Sequence, residues 1–221
     1  MYFKSFHSFV GSNYNTPMED IKNRIISGAE SLFLAYGVKS ITMDEVAKNL
    51  GVSKKTIYQH VSDKDELVTL AVKSSMENQE SQVDLIHATA KDPIDEVLKL
   101  SEYMRSLFSN MNPFLLMEIQ RYYPKAYESY LSFKEACIIN SLAENLKWGI
   151  EMGYYRPHIN IDILSRMRME QVEWGFNPRI FKEGKYFSDV QIQLLEHFLY
   201  GICTLKGHKL INKYKHIQEE E

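Results

Sequence analysis

A short segment of the chain concentrates side chains that carry positive charge or exchange hydrogen bonds. It contains Ser53, Lys54, Lys55, Thr56, Tyr58, Gln59, His60 and Lys64. Lysines neutralise phosphates and contact guanine acceptors, and glutamine suits the edge of adenine. Residues 48–64 hold four lysines against one aspartate, a local charge of +3, although the whole chain carries −3. The segment therefore predicts a surface that contacts double-stranded DNA.

Helix-start and helix-stop signals surround these side chains. Thr42 is followed three residues later by a glutamate, the pattern of a capping box, and precedes an apolar-periodic run over residues 43–50. Gly51 ends that run, and Ser53 is placed to cap a second helix over residues 54–60. Two short helices joined by a glycine turn predict a helix-turn-helix, whose second helix enters the major groove.

Short motifs follow one another in a fixed order along residues 21–70. They are Ala35-Tyr36-Gly37, Ile41-Thr42-Met43, Gly51-Val52-Ser53 and Thr56-Ile57-Tyr58-Gln59-His60-Val61 before Lys64. Together they resemble the DNA-binding domain of the tetracycline-repressor (TetR) family. Weaker similarity to helix boundaries of that family occurs at Tyr123-Pro124 and at Gly153-Tyr154-Tyr155-Arg156-Pro157. The resemblance implies a three-helix DNA-binding domain followed by a larger helical domain for ligand binding and dimerisation.

Caps and apolar stripes predict an all-α architecture, because no run alternates as a half-buried strand does. Residues 1–17 are expected to be a flexible N-terminal arm or an artefact of an upstream start. The DNA-binding domain is expected over residues 18–64, and the regulatory and dimerisation domain over residues 65–221. Helices are predicted over 19–36, 43–50, 54–60, 64–88, from 93, from 113, and over 124–152, 160–174 and 188–209.

The resemblance also implies roles for individual side chains of the helix-turn-helix. Base edges or the phosphates beside them are expected to meet Lys54, Lys55, Thr56 and Gln59. The phosphate backbone is expected to meet Thr42, Tyr58, His60 and Lys64. Plainer interpretations compete: Tyr58 can pack in the small core, His60 can satisfy a local hydrogen bond, and Ser53 is first of all a helix cap.

Aromatic and methionine side chains of the C-terminal part are candidates for an effector pocket. They are Met104, Phe108, Met117, Tyr127, Tyr130, Trp148, Met167 and Trp174. An apolar pocket with a few polar anchors suits a small molecule, and Arg105, Arg121, Arg166 or Arg168 can anchor an anionic one. Helical spacing explains the same residues as ordinary core, so that alternative stays open.

The last predicted helix carries a wide apolar stripe. Its members Leu195, Phe198, Leu199, Ile202 and Leu205 are predicted to form a dimer interface, since TetR-like proteins pair their last two helices with a second copy. Gly201 and Gly207 in the same helix lower its helicity, so each requires a packing reason. A partner helix supplies one reason, and a contact within the chain supplies another.

These observations predict a homodimeric transcriptional repressor that binds operator DNA and is released by a small-molecule effector. The alternative is a DNA-binding adaptor whose C-terminal domain binds a protein and no ligand; activation instead of repression also stays open. No catalytic motif is present, so an enzyme is not expected. Cys137 and Cys203 lack metal-ligand spacing, so neither a metal nor a cofactor is expected. No apolar run suggests a membrane span, which predicts a soluble, cytoplasmic protein.

Overall fold

The computed structural model describes residues 17–109, 111–175, 180–181 and 187–216. The predicted N-terminal arm, except for Pro17, lies outside these residues. Within them the fold is all-α, as predicted. The helices are α1 (Pro17–Tyr36), α2 (Met43–Leu50), α3 (Lys54–Tyr58), α4 (Lys64–Thr89), α5 (Pro93–Phe108), α6 (Leu115–Tyr122), α7 (Pro124–Phe133), α8 (Asn140–Glu151), α9 (Ile161–Trp174), α10 (Phe187–Ile202) and α11 (Leu205–Tyr214), with a π-helical segment at Lys134–Ile139.

Local caps begin most helices where the sequence predicts them. The Thr42 hydroxyl accepts from the backbone N–H of Glu45, whose carboxylate in turn accepts from the backbone N–H of Thr42. Ser53 caps α3, and Asn160 caps α9. Because each of these caps satisfies backbone donors from within one turn of chain, the sequence signal is sufficient to locate it.

The helix predicted from residue 113 begins later, at Leu115. The side-chain oxygen of Asn112 accepts from the backbone N–H of Phe114 at 2.9 Å, while the backbone N–H of Asn112 donates to Leu34 O at 2.7 Å. These two bonds hold a turn against α1 and delay the helix. The helix predicted over residues 124–152 is continuous, but a π-helical segment separates α7 from α8.

The prediction of a single helix over residues 188–209 is wrong. The helix is interrupted at Cys203-Thr204, which separates α10 from α11. Cys203 forms an isolated antiparallel bridge with Tyr155. The Thr204 hydroxyl donates to Gly153 O at 2.8 Å and accepts from Gly207 N at 3.3 Å, so it caps α11. The contacts with the turn at residues 153–155 interrupt the helix here, although the spacing of its apolar residues predicts a continuous one.

Two apolar cores organise the protein. The first core contains side chains from α1, α2, α3, α4, α6 and α7. Its fully buried members include Ile25, Ile57 and Leu67. It runs without a break across residue 64, where the boundary between the two domains is predicted. The second core lies among α5, α8, α10 and α11, and it contains Ile94 and Leu199.

The dimer-interface prediction needs correction, because four of its five side chains belong to the second core. Leu195, Phe198, Leu199 and Ile202 are between 1% and 8% exposed, whereas Leu205 is 80% exposed. A Cβ on Gly207 would lie 2.3 Å from Tyr154 O, so this glycine has its packing reason within the chain. A Cβ on Gly201 would meet nothing within 4 Å.

A buried polar network ties α4, α5, α8 and the turn before α9 together. Glu96 is 1% exposed and bonds to His87 Nδ1 at 3.0 Å and to Asn145 Nδ2 at 2.8 Å. The hydroxyl of Tyr155 donates to Asn145 Oδ1 at 3.1 Å. Since a buried polar group is costly without a partner, each member depends on the others.

Both cysteines are free thiols, with Cys203 buried and Cys137 partly so. Among the described residues, no three His, Cys, Asp or Glu side chains are grouped to hold a metal ion. None of the described helices combines the length and the apolar character that a membrane crossing requires.

Replacing Tyr155 with Phe tests the buried network. The change leaves the Asn145 side-chain oxygen buried without a donor, so the free energy of unfolding is expected to fall by about 1–3 kcal/mol. Urea unfolding followed by circular dichroism measures it. Tyr154→Phe is the matched control and should change stability by less than about 0.5 kcal/mol, because no described group bonds that hydroxyl. Equal effects of the two changes would contradict the interpretation.

Candidate nucleic-acid interface

The turn between α2 and α3 has the geometry of a helix-turn-helix. Gly51 adopts φ 65°, in the left-handed region that glycine enters at little cost. Arg24 on α1 donates to Leu50 O at 2.5 Å, which fixes the turn against the first helix. The sequence analysis missed this arginine because it lies 26 residues from its partner.

The outer face of α3 carries most of the predicted DNA-contacting side chains. Ile57 is 0% exposed and faces the core. The helix predicted to end at residue 60 ends at Tyr58, with Gln59 as its C-cap. Lys55, Tyr58 and Gln59 are exposed, while His60, beyond the helix, is half-buried. Tyr58 is 45% exposed, so its alternative place in the core is ruled out. The structure thus presents a lysine, a tyrosine and a glutamine together on one short surface helix.

Three other residues that are predicted to contact DNA form hydrogen bonds within the helix-turn-helix. The Ser53 hydroxyl accepts from Thr56 N at 3.0 Å and lies 2.8 Å from the Thr56 hydroxyl, so these two form the cap of α3. Lys54 donates to Asp44 on α2 at 2.8 Å, and this bond raises the pKa of its ammonium. An approaching phosphate would compete with Asp44 for Lys54. Thr42 is exposed at the start of α2.

Lys64 departs from the prediction that it meets the phosphate backbone. Its ammonium donates to Val38 O at 2.6 Å and lies 5.9 Å from the ring centre of Tyr123. Burial lowers the pKa of this ammonium. The side chain therefore connects the α1–α2 turn with the junction between α6 and α7, and we assign it a structural role.

The same turn docks on α6, and this contact has no signal in the sequence. Lys39 N donates to the carboxylate of Glu118 at 2.8 Å across 79 residues of chain. Gly37 adopts φ 81° beside that carboxylate, where a Cβ would lie 2.8 Å from Glu118 Oε2. The helix-turn-helix is thereby hydrogen-bonded to the C-terminal part of the chain.

Two neighbouring apolar cavities lie behind the helix-turn-helix. The first, of about 120 Å³, is bounded by α1, α4, α5, α6, α7, α9 and the π-helical segment. The second, of about 140 Å³, is bounded by α4, α5, α7, α8, α9, α10 and the π-helical segment. Their shared walls contain Gln79, Met104, Phe108, Ile138, Met169 and Val172.

The effector-pocket prediction is partly wrong. Met104 and Phe108 line both cavities, and Tyr130 lines the first. The other five side chains, Met117, Tyr127, Trp148, Met167 and Trp174, line neither. Three of them are exposed, Tyr127 packs on the first core, and Trp148 meets His87 edge-on. Helical spacing shows which side of a helix is apolar, but it does not show what covers that side.

Titratable groups at the cavities have shifted pKa values. Burial raises the pKa of Glu30, which lines the first cavity and bonds to Ser75. The Tyr130 hydroxyl donates to Glu173 at 2.8 Å, and burial raises its pKa. Burial lowers the pKa of Arg168, at the second cavity, to about 10.

An exposed basic helix on a helix-turn-helix, backed by a helical body, defines a DNA-binding regulator of helix-turn-helix type. A family profile described as "Bacterial regulatory proteins, tetR family" matches residues 25–71. The HTH-type transcriptional repressor KstR2 of Mycobacterium tuberculosis is 23% identical over 195 residues, covering 82% of this chain and 92% of that protein.

Solved structures share the complete fold. A TetR-family regulator from Agrobacterium tumefaciens superposes with a TM-score of 0.71 at 15% identity, covering 85% of this chain and 100% of that one. The ketosteroid transcriptional regulator KstR2 of M. tuberculosis gives 0.53 at 17% identity, over 83% and 95% of the two chains. Residues 25–71 therefore match the DNA-binding domain of TetR-family regulators, the fold is one that TetR-family regulators share, and the relatives named here are transcriptional regulators.

Replacing Lys55 with Ala tests the DNA-contacting role of α3. The side chain is exposed and makes no ion pair with a described residue, so its loss should leave folding intact. Operator affinity is expected to fall by about tenfold, and the slope of log K against log[salt] should drop by about 1 if it meets a phosphate. Fluorescence anisotropy with labelled DNA across a salt series measures both.

Lys147→Ala is the control for that experiment, because Lys147 is also exposed but lies on α8 of the body. Tyr58→Phe removes only a hydroxyl from α3 and should weaken binding less than Lys55→Ala does. If the Lys147 and Lys55 variants lost the same affinity, α3 would not be the recognition helix.

Proposed function

We propose that the protein is a homodimeric repressor that holds operator DNA until a small-molecule effector occupies the cavities behind its DNA-binding head. The observation that carries this proposal is the composition of the first cavity. Its walls come from α1 of the head and from α4 and α6 of the body. A molecule in this space touches both parts of the protein at once.

The route from cavity to head is short. Phe33, Leu34 and Val38 contribute the head side of the first cavity, and Leu115 and Ile119 of α6 contribute part of the body side. The same α6 bonds the α1–α2 turn through Glu118. A ligand that favours a different spacing of α1 and α6 shifts the population away from the DNA-binding arrangement. A coupling of about 1–3 kcal/mol changes operator affinity by roughly 5–150-fold.

A second copy of the chain is the expected partner of an exposed face on α9 and α10. On α9 this bundle face carries Ile163, Met167 and Trp174, which are 60%, 38% and 44% exposed. On α10, Leu194 is partly exposed and Gly201 is exposed, on a different side of the helix from the buried stripe. Four helices from two copies can pack here, with Gly201 permitting close approach. The proposed interface replaces the buried residues predicted from the sequence.

A dimer can bind two half-sites of an operator at the same time. One short recognition helix covers one half-site, and a two-fold axis places two such helices on successive turns of the duplex. We assign residues 18–64 to the DNA-binding head and residues 65–221 to the regulatory and dimerisation body. As a transcriptional regulator of a bacterial family, the protein is proposed to act in the cytoplasm.

Repression is favoured over activation by the relative KstR2, which is described as a repressor. The adaptor alternative, with a protein partner and no ligand, requires a filled interior. Two apolar-lined cavities in the described part of the body favour the small-molecule interpretation instead.

DNA from upstream of the protein's own gene provides the direct test. The purified chain should bind it as a dimer, protect two symmetric half-sites, and lose affinity steeply as salt rises. Footprinting together with anisotropy measures site and affinity. Weak binding that ignores sequence would leave the fold assigned and reject this function.

Replacing Gly201 with Leu tests the bundle face. Within one copy the new side chain enters open space, and leucine favours the helix more than glycine does, so the monomer should remain folded. In the dimer it would separate the packed helices, and the dissociation constant is expected to rise at least tenfold, or about 1.4 kcal/mol. Sedimentation velocity over a concentration series measures it.

Leu205→Ala is the matched comparison, since Leu205 is the only exposed member of the interface first predicted. It should leave dimerisation unchanged. A dimer sensitive to Leu205 and insensitive to Gly201 would move the interface to α11.

A further inference from the structure

Arg168 is a buried cation without a counter-ion among the described residues. It lies on α9, is 8% exposed, and lines the second cavity. Its Nη1 has no hydrogen-bond partner. Its guanidinium carbon lies 6.0 Å from the centre of the Phe198 ring. Burial alone lowers its pKa, and no carboxylate offsets that effect.

Such an arrangement is unusual for a purely structural arginine. A guanidinium removed from water needs a carboxylate or several acceptors to compensate for its lost hydration. Arg166, two residues earlier on α9, shows the ordinary case: it is exposed and bonds to Glu135 and Asp162. Arg168 instead has a free donor at the edge of an apolar cavity.

The two cavities differ in the charged side chains that line them. Arg168 lines only the second cavity, and Glu30 lines only the first. An anionic group is therefore attracted to the second cavity and disfavoured in the first. The walls that the cavities share are mainly apolar, so an apolar body can extend from one towards the other.

We propose that Arg168 binds the carboxylate of an effector whose apolar body occupies the two cavities. The inference rests on the proposed effector response and specifies its ligand class. The Nη1 without a partner can donate a charge-assisted hydrogen bond to a carboxylate oxygen. Each cavity is close in size to the roughly 150 Å³ engineered cavity that binds benzene, so a medium-length hydrocarbon fits the pair better than a large ring system.

A single negative charge is the best match. Besides Arg168, the only cation lining the second cavity among the described residues is Arg105, which is exposed. One buried guanidinium neutralises one carboxylate, whereas a diphosphate would bring further charges into apolar walls. The ligand class is thus an apolar monocarboxylate.

Three probes with the same chain and different head groups test the proposal on the full-length protein. Isothermal titration calorimetry compares octanoate, 1-octanol and octylammonium. Octanoate should bind at least tenfold more tightly than octanol, and octylammonium should bind more weakly than either. In Arg168→Met, octanoate affinity should fall at least tenfold, to the level of octanol, while octanol affinity stays unchanged.

The stability of the unliganded protein provides a second measurement. Met fills a similar volume without a buried charge, so Arg168→Met should raise Tm by a few degrees, as replacement of buried charges by apolar side chains often does. A structural arginine would give the opposite result. Arg166→Met, the control on the same helix, should keep the full preference for octanoate.

Equal binding of octanoate and octanol, absence of octanoate binding, or an octanoate affinity that Arg168→Met leaves unchanged would each overturn the proposal. Operator binding by the same samples separates it from the proposed function. If octanoate binds through Arg168 without releasing the operator, the ligand site stands and the effector response fails. If the operator is bound specifically while octanoate shows no preference, the regulator stands and this ligand class fails.

Discussion

The packing of α4 against both parts of the molecule is the constraint on which the rest depends. Its first turns bury Leu67, Val68 and Ala71 in the core shared with the head. Its last turn places His87 against the buried carboxylate of Glu96 in the body. The helix has 26 residues and therefore spans about 39 Å. Because one rigid element is fixed at both ends, the proposed effector response requires a change of packing along its length to move the head.

The cavities lie beside this helix, where the proposed effector would bind. A filled interior would lock α1, α4 and α6 in one arrangement, because well-packed cores resist small shifts. Empty apolar space removes contacts that would hold these helices in that arrangement, so a ligand can select another one. The buried Arg168 fits the same proposal, because a guanidinium without a counter-ion is less stable than one paired with the carboxylate of a ligand.

The net charge of the helix-turn-helix segment does not show which of its lysines are available to bind DNA. Residues 48–64 carry a net +3. In the fold, Lys54 shares its charge with Asp44 and Lys64 is directed at Val38. Lys55 is exposed on α3, outside these pairs. Sequence predicted which segment is basic, and the tertiary contacts decided which lysines can reach a phosphate. The α10 helix shows the same effect, because its most apolar side, which the sequence predicts as a dimer interface, packs in the chain's own core.

The sequence by itself determined the all-α class, the helix-turn-helix and most helix starts. These features depend on hydrogen bonds within one turn of chain, such as Thr42 with Glu45, and on the period of apolar residues. Only the tertiary structure decided the break after α10, the contact of Glu118 with the α1–α2 turn, the isolation of Arg168 and the walls of the cavities. Each of these joins segments far apart in sequence, and their meeting depends on how whole helices pack, which local propensity does not encode.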